Sequence, residues 1–243
     1  MQSLYPTTPS ELSHDDLVEI YAYPHDRRWV RANFVTTLDG AAQGSDSKSG
    51  TLSSAGDRTL FALLRSLCDV VIVGANTTRV EGYQPIRPSE LDMSTRGRLG
   101  LAPVPTVAVV SRSLEIDSSL LAGGEAPTIL VTTKEAVEAH RERASDAAAV
   151  IVAGERSVDF GAALDELAAR GLQRVLCEGG PGLMRDLVSS RRLDELCLTV
   201  RPLIVAGDRY RIARGDAIAP VCRMALRSLL ESDGDLFARY VLS

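Results

Sequence analysis

Glu178-Gly179-Gly180-Pro181-Gly182-Leu183-Met184 stands between an apolar run, LQRVLC over 172–177, and a segment that repeats Leu183, Met184, Leu187 and Val188 at helical spacing. Glycines at a strand-to-helix junction leave backbone N–H groups bare at the positive end of a helix, and such a turn can cradle a phosphate. Pro181 suits the first helical turn, where its missing N–H costs nothing. A turn that needs glycine for backbone shape alone has the same appearance, so the motif counts only in company. That company is Val73-Gly74-Ala75-Asn76-Thr77-Thr78-Arg79, a second strand-to-helix turn that offers the Thr77 and Thr78 hydroxyls. Ligands of open α/β sheets gather at the carboxyl ends of the parallel strands, and two such turns suit the two halves of a dinucleotide. Neither is the GxGxxG fingerprint, and no acidic residue stands where that motif would hold a ribose 2′-hydroxyl. Instead the run VAVV over 107–110 ends in Ser111-Arg112-Ser113, a hydroxyl and guanidinium suited to a 2′-phosphate, which favours NADPH over NADH.

Three further groups have polar chemistry at element ends. Thr36-Thr37-Leu38-Asp39-Gly40 is either a turn, as Asp-Gly commonly marks, or a set of hydroxyls and one carboxylate aimed at a small heterocycle. Arg65 interrupts an apolar helical face and is either a surface guanidinium or an anion clamp. Glu178 is either a helix N-terminal carboxylate or the centre of the site, and Glu81 has a neighbouring arginine as its plain alternative. Thr37, Asp39 and Glu178 are the candidates for catalysis. His14, His25 and His140 all lie in polar segments and are expected to take no catalytic part.

The elements that position these groups follow from periodicity. Residues 1–28 read as a polar, loop-like N-terminal extension with a short helix within 11–21 started by Ser10 or Ser13, and 29–243 as a single domain. Strand patterns fall at 29–38, 70–74, 105–110, 128–132, 149–152 and 173–177. Helical patterns fall at about 54–67, 134–144, 159–170 and 183–190, with Ser53 or Ser54 as an N-cap. The stretch 84–101, with Pro85, Pro88 and several arginines, reads as a surface excursion. Strands alternating with helices give an α/β protein with a central twisted, mostly parallel sheet and helices on both faces. The strand-rich end at 195–200, 223–232 and 236–242 predicts an antiparallel edge.

Composition excludes several classes. A net charge of −5 argues against a nucleic-acid surface, and 45% hydrophobic with 24% charged residues over 243 positions is ordinary for a soluble globular chain. No signal-peptide pattern opens the chain and no apolar run is long enough to span a bilayer, so a cytoplasmic location is expected. Cys68, Cys177, Cys197 and Cys222 lack metal-site or redox spacing and read as reduced, buried small hydrophobes, with no metal expected.

Taken in order, Thr36–Gly40, Ser53-Ser54 with Leu63-Leu64-Arg65, Asp69–Arg79, Val109–Ser111, and Glu178–Met184 with Leu193-Asp194-Glu195-Leu196 resemble the reductase domain of riboflavin biosynthesis. That family shares the dihydrofolate reductase-like fold, and the resemblance covers residues 29–242. It implies an oxidoreductase that converts a ribosylamino-pyrimidine phosphate to its ribitylamino form with NADPH, commonly as a homodimer. It implies coenzyme contacts at Thr36, Thr77, Glu81, Ser111 and Gly180 to Asp186, to which the turns themselves add Gly74, Ala75, Thr78, Arg112, Gly179, Pro181, Gly182, Leu183 and Met184. It implies substrate contacts at Ser49, Arg65 and Glu178, with Arg65 and Arg87 as candidates for the sugar phosphate. Glu81-Gly82-Tyr83 departs from the family's Asp-Pro pair, and Thr51 replaces a common aromatic near Ser49. A deaminase zinc signature is absent. One alternative is a dihydrofolate or other pterin reductase, which would hold its substrate by a buried carboxylate on a helix; no helical run offers a clear one. The other is a nucleotide-binding accessory protein without turnover.

Overall fold

The computed structural model describes residues 1–6, 10–122 and 124–243. In chain order the elements are β1 (Gln2–Tyr5), β2 (Ser10–Glu11), α1 (His14–Ile20), β3 (Trp29–Thr37), α2 (Ala55–Leu67), β4 (Val70–Gly74) and α3 (Ala75–Glu81). Then come α4 (Met93–Arg98), β5 (Thr106–Val110), α5 (Ser118–Ala122), β6 (Ile129–Thr132), α6 (Lys134–Ala139), α7 (Arg141–Ser145) and β7 (Ala149–Val152). The chain finishes with α8 (Phe160–Ala169), β8 (Arg174–Cys177), α9 (Pro181–Ser189), β9 (Glu195–Arg201), β10 (Met224–Ser232) and β11 (Asp235–Leu242).

All strands join one sheet in the order β2-β1-β10-β11-β9-β3-β8-β4-β5-β6-β7. From β9 to β7 every pairing is parallel, and from β9 outward through β11, β10, β1 and β2 every pairing is antiparallel. The mostly parallel sheet with an antiparallel edge is therefore as expected. One face is covered by α2, through Leu60, Leu63, Leu64 and Leu67, with Tyr21 and Tyr23 beside it. The other is covered by α8 and α9, through Phe160, Leu164, Leu167, Leu183 and Leu187. Among the described residues no helix is long and apolar enough to cross a membrane.

β3 begins beside a buried charge cluster. Glu195, fully buried, accepts from Arg31 Nε at 2.8 Å, Arg239 Nε at 2.7 Å and the Trp29 indole at 2.7 Å. This cluster joins β3, β9 and β11 where the sheet changes from parallel to antiparallel. Asp194 next to it accepts from the Val30 amide at 2.8 Å.

Three segments differ from expectation. Within 1–28, whose residues 7–9 lie outside the described residues, β1 pairs with β10 and Leu17, Tyr21 and Tyr23 enter the core. Their few apolar side chains are spaced among polar ones, so local composition hid them. The stretch 84–101 contains α4, whose Arg96 is buried and donates to the carbonyls of Arg65, Cys68 and Ala102 at 3.1, 2.9 and 2.7 Å. The helix expected over 134–144 breaks into α6 and α7 at His140, whose φ of −134° and ψ of 50° are not helical. Cys68, Cys177 and Cys197 are buried free thiols, and burial pushes Cys177 up to about 12; Cys222 is half-buried.

Candidate active site

The chain leaves β4 toward β5 on one side, and leaves β8 through α9 toward β9 on the other. The crevice between β4 and β8 is thus a point where strand order reverses, the place where ligands of such sheets bind. Its two turns touch, since Gly74 N donates to Gly179 O at 2.8 Å. Glycine is required here by close approach. A Cβ on Gly180 would lie 2.4 Å from Thr77 Oγ1, and one on Gly179, whose φ is +87°, would lie 3.2 Å from the Phe34 ring. The Gly179–Gly180 peptide is cis.

Two cavities open from this crevice, and Asn76 lines both. The first, of about 750 Å³, runs along the ends of β4, β5 and β6, past Gly74, Ser111, Arg112 and Thr133 to Gly182 and Leu183. The N-termini of α1, α2, α4, α6 and α8 are capped by Ser13, Ser54, Asp92, Thr133 and Asp159. At α9 the N-cap is Gly180, which has no side chain to offer, and a Cβ on Gly182 would meet only open space. The first N–H groups of α9 are therefore free for an anionic ligand. Arg79, Arg112, Arg156 and His140 line this cavity against Glu135 and Asp186. Ser111 Oγ accepts from Leu114 N at 2.9 Å, which leaves its own hydrogen available.

The second cavity, of about 730 Å³, lies against β3, α2, α3 and the loop 202–223. At its centre Glu178, with side chain 4% exposed, accepts from Arg65 Nε and Nη2, both at 2.8 Å, in a bidentate pair. Tyr83 O–H also donates to Glu178, and accepts from Arg65 Nη2 at 2.8 Å. Burial and the adjacent Glu178 charge raise the Tyr83 phenol well above its usual range, so it stays a donor. Arg65 stacks over the Phe61 ring at 4.3 Å. Ser49 N and Oγ donate to Glu81 Oε1 at 2.9 and 3.0 Å. Asp57, buried on α2, accepts from the Ser53 hydroxyl.

The sequence-derived residues divide accordingly. Gly74, Ala75, Ser111, Arg112, Gly182, Leu183 and Asp186 line the first cavity, while Ser49, Arg65, Thr77, Glu81, Glu178, Gly180 and Pro181 line the second. Others have different work. Thr36 donates to the Ala41 carbonyl at 3.2 Å, Thr78 to the Ala75 carbonyl at 2.8 Å, and Met184 is packed in the core. Gly179 serves the contact between the two turns. Thr37 donates to Asp39, and Asp39 in turn accepts from the amides of Val205 and Ala206 at 3.2 and 2.7 Å. That pair is a loop anchor instead of a group aimed at a heterocycle. Arg87, 71% exposed and 3.9 Å from Glu90, stands outside both cavities. Arg65, expected as a phosphate clamp, has its charge matched by Glu178.

Asp57, Phe61, Asn76, Tyr83 and Arg209 escaped the sequence reading. Asp57 carried a signal, since three residues after Ser54 it reads as a first-turn acid of α2. Its presence corrects the expectation that no helix supplies a buried carboxylate. Among the described residues no cluster of His, Cys, Asp and Glu is arranged to hold a metal ion.

An anion cradle beside a second cavity that holds the Arg65–Glu178 pair, both at the carboxyl edge of this sheet, suits an oxidoreductase. The RibD C-terminal domain model matches residues 28–237, and the chain belongs to that family. It is 26% identical to the 2,5-diamino-6-ribosylamino-4(3H)-pyrimidinone 5′-phosphate reductase of Archaeoglobus fulgidus, over 87% of this chain and 96% of that one. It is 33% identical to the Aquifex aeolicus protein of the same name, over 60% of this chain and 62% of that one. A pyrimidine reductase-like protein from Corynebacterium diphtheriae superposes with a TM-score of 0.79 at 27% identity, over 93% of this chain and 98% of that one. The riboflavin biosynthesis reductase of Saccharomyces, at 13% identity and a TM-score of 0.64, shares the fold over 93% of this chain and 97% of that one.

A nicotinamide dinucleotide, the coenzyme typical of this family's fold, fits the residues present. The uncapped α9 N-terminus and open Gly182 suit a diphosphate, and Arg112 suits an anionic substituent.

Proposed function

We propose that the chain is an NADPH-dependent reductase of a ribosylamino-pyrimidinone 5′-phosphate, acting as a homodimer as the resemblance implies. The observation that carries the reading is the shared wall at Asn76, which sets a dinucleotide-sized cavity directly against a second one holding Asp57, Arg65 and Glu178. When bound, NADPH supplies a hydride for an electrophilic C=N carbon at the sugar end of the substrate. This chain's residues bind and orient. The α9 amides and Gly182 receive the diphosphate, and Ser111 and Arg112 the 2′-phosphate. Arg65 and Tyr83 hold Glu178 as a fixed carboxylate at the cavity centre. Asp57 offers a carboxylate to the donor edge of a 2-amino-4-oxopyrimidine, whose N3–H and amino group match two carboxylate oxygens.

That same Asp57 favours a second reading, a pterin reductase, because a pterin presents the same 2-amino-4-oxo edge. NADPH oxidation measured side by side with the diaminopyrimidinone nucleotide and with dihydrofolate separates them. The expected result is turnover of the nucleotide at a kcat/KM at least tenfold above that for dihydrofolate. The reverse order establishes the pterin enzyme, and NADPH binding without oxidation of either establishes an accessory protein.

A further inference from the structure

Resting on the reading above, one requirement of a sugar-phosphate substrate is still unmet: a cation not already neutralised. Among the described residues, Arg58, Arg65 and Arg209 are the cationic side chains lining the second cavity. Arg65 is paired bidentately with Glu178, and its remaining Nη1 stands 3.7 Å from Glu90. Arg58 gives Nη1 to the Ser53 carbonyl at 3.0 Å. Arg209 differs, because its Nε is buried and has no hydrogen-bond partner. No carboxylate or carbonyl among the described residues holds its guanidinium, which lines the cavity and is therefore the cation left to meet a ligand oxygen there.

Arg209 is also held in place. Its loop is fastened at Val205 and Ala206 by the Asp39 carboxylate, and Ala42 N donates to Tyr210 O at 2.7 Å. Beyond Tyr210, Arg214 stacks over that ring at 3.9 Å while its amide donates to Pro181 O at 3.1 Å. The loop is thereby fixed at one end to the turn after β3 and at the other to the start of α9. The Thr37–Asp39 pair, which the chemistry at the cavity centre does not use, acquires a purpose as its anchor. The carboxylates of the cavity do not compete equally for the guanidinium: Asp57, Glu81 and Glu178 have donors of their own, leaving Asp208 beside it.

We propose that Arg209 seats the substrate's phosphomonoester, and that Asp39 is a positioning residue that holds the Arg209 loop against the cavity. Two measurements on the NADPH-loaded enzyme test this. The first is calorimetric titration with ribose 5-phosphate. The second is the ratio of KM values for the pyrimidinone nucleoside and its 5′-phosphate. In Arg209→Gln, ribose 5-phosphate binding is lost and the KM ratio falls at least tenfold, while Arg209→Lys retains most of both. Asp39→Ala lowers the ratio in the same direction, through KM of the nucleotide and not its kcat. General loss of structure would move both KM values together and leave the ratio unchanged.

An unchanged ratio in Arg209→Gln overturns the proposal, as does a ratio lost in Arg65→Gln while Arg209→Gln keeps it. A KM for dihydrofolate that rises in Arg209→Gln, in a wild type that binds no ribose 5-phosphate, assigns Arg209 to a carboxylate tail and overturns it too. Ribose 5-phosphate binding that depends on Arg209, with no pyrimidinone turnover by the wild type, upholds this seat and sinks the substrate reading instead.

Discussion

Tyr83 bridges Arg65 and Glu178 with one hydroxyl. A hydrogen bond to a charged group contributes about 1.5–3 kcal/mol. Tyr83→Phe is therefore expected to lower kcat/KM for the pyrimidinone nucleotide by roughly tenfold to a hundredfold. NADPH affinity should stay as it was, as read by fluorescence titration. Gly180→Val is expected to raise the coenzyme Kd by at least tenfold, since a Cβ there would lie 2.4 Å from Thr77 Oγ1 and displace the start of α9, whose amides receive the diphosphate. Residues whose placement follows from local backbone form, such as Gly180 and Glu178 at the turn between β8 and α9, were legible in sequence. Tyr83 and Asp57 were not, because their meaning depends on partners or walls that belong to other elements. Asp39 was legible as a special residue, but the amides it binds lie 166 and 167 positions away.

Arg96 shows the same limit for an element. The arginines and prolines of 84–101 describe an exposed segment, yet α4 folds back so that one guanidinium caps the last turn of α2. A helix C-terminus leaves carbonyls unpaired, and a cation there is doubly favourable. Arg96→Met leaves the carbonyls of Arg65, Ser66 and Cys68 without this donor, at about 1–3 kcal/mol for a buried unsatisfied group. The melting temperature is expected to fall by roughly 2–12 °C in scanning calorimetry, given ~2–4 °C per kcal/mol for a chain of this size. The longer elements were readable because periodicity and caps agreed, as with Ser54 before α2 and Asp159 before α8. α6 and α7 were merged because nothing in the residue types around His140 announces a break.

At the scale of the molecule, the buried cluster of Arg31, Glu195 and Arg239 joins the two halves of the sheet. Arg31 beside it holds Glu195 down to about 2, against an ordinary 4.5, despite the burial that works the other way. A carboxylate lowered by folding stabilises fully above its unfolded value and loses that contribution as pH falls through the folded one. Urea unfolding is therefore expected to show stability declining between about pH 4.5 and about pH 2. Asp194, raised by burial, opposes this in part. Glu195→Gln, which leaves two arginines uncompensated, should destabilise by about 3–5 kcal/mol at neutral pH and flatten the acid dependence. The alternation that announces a parallel sheet was plain in the chain, and so was its antiparallel margin, whereas strand order was not. β3 lies between β8 and β9, so its partners are residues 174–177 and 195–201. A nascent polypeptide that has not yet reached Arg174 thus carries a nine-residue ribbon with both hydrogen-bonding edges bare, a target for chaperones and a hazard for aggregation. The crevice between the two glycine turns cannot form before Gly179 and Gly180 have followed Gly74 out of the ribosome by more than a hundred residues, so the catalytic centre is a late product of long-range pairing instead of an early local one.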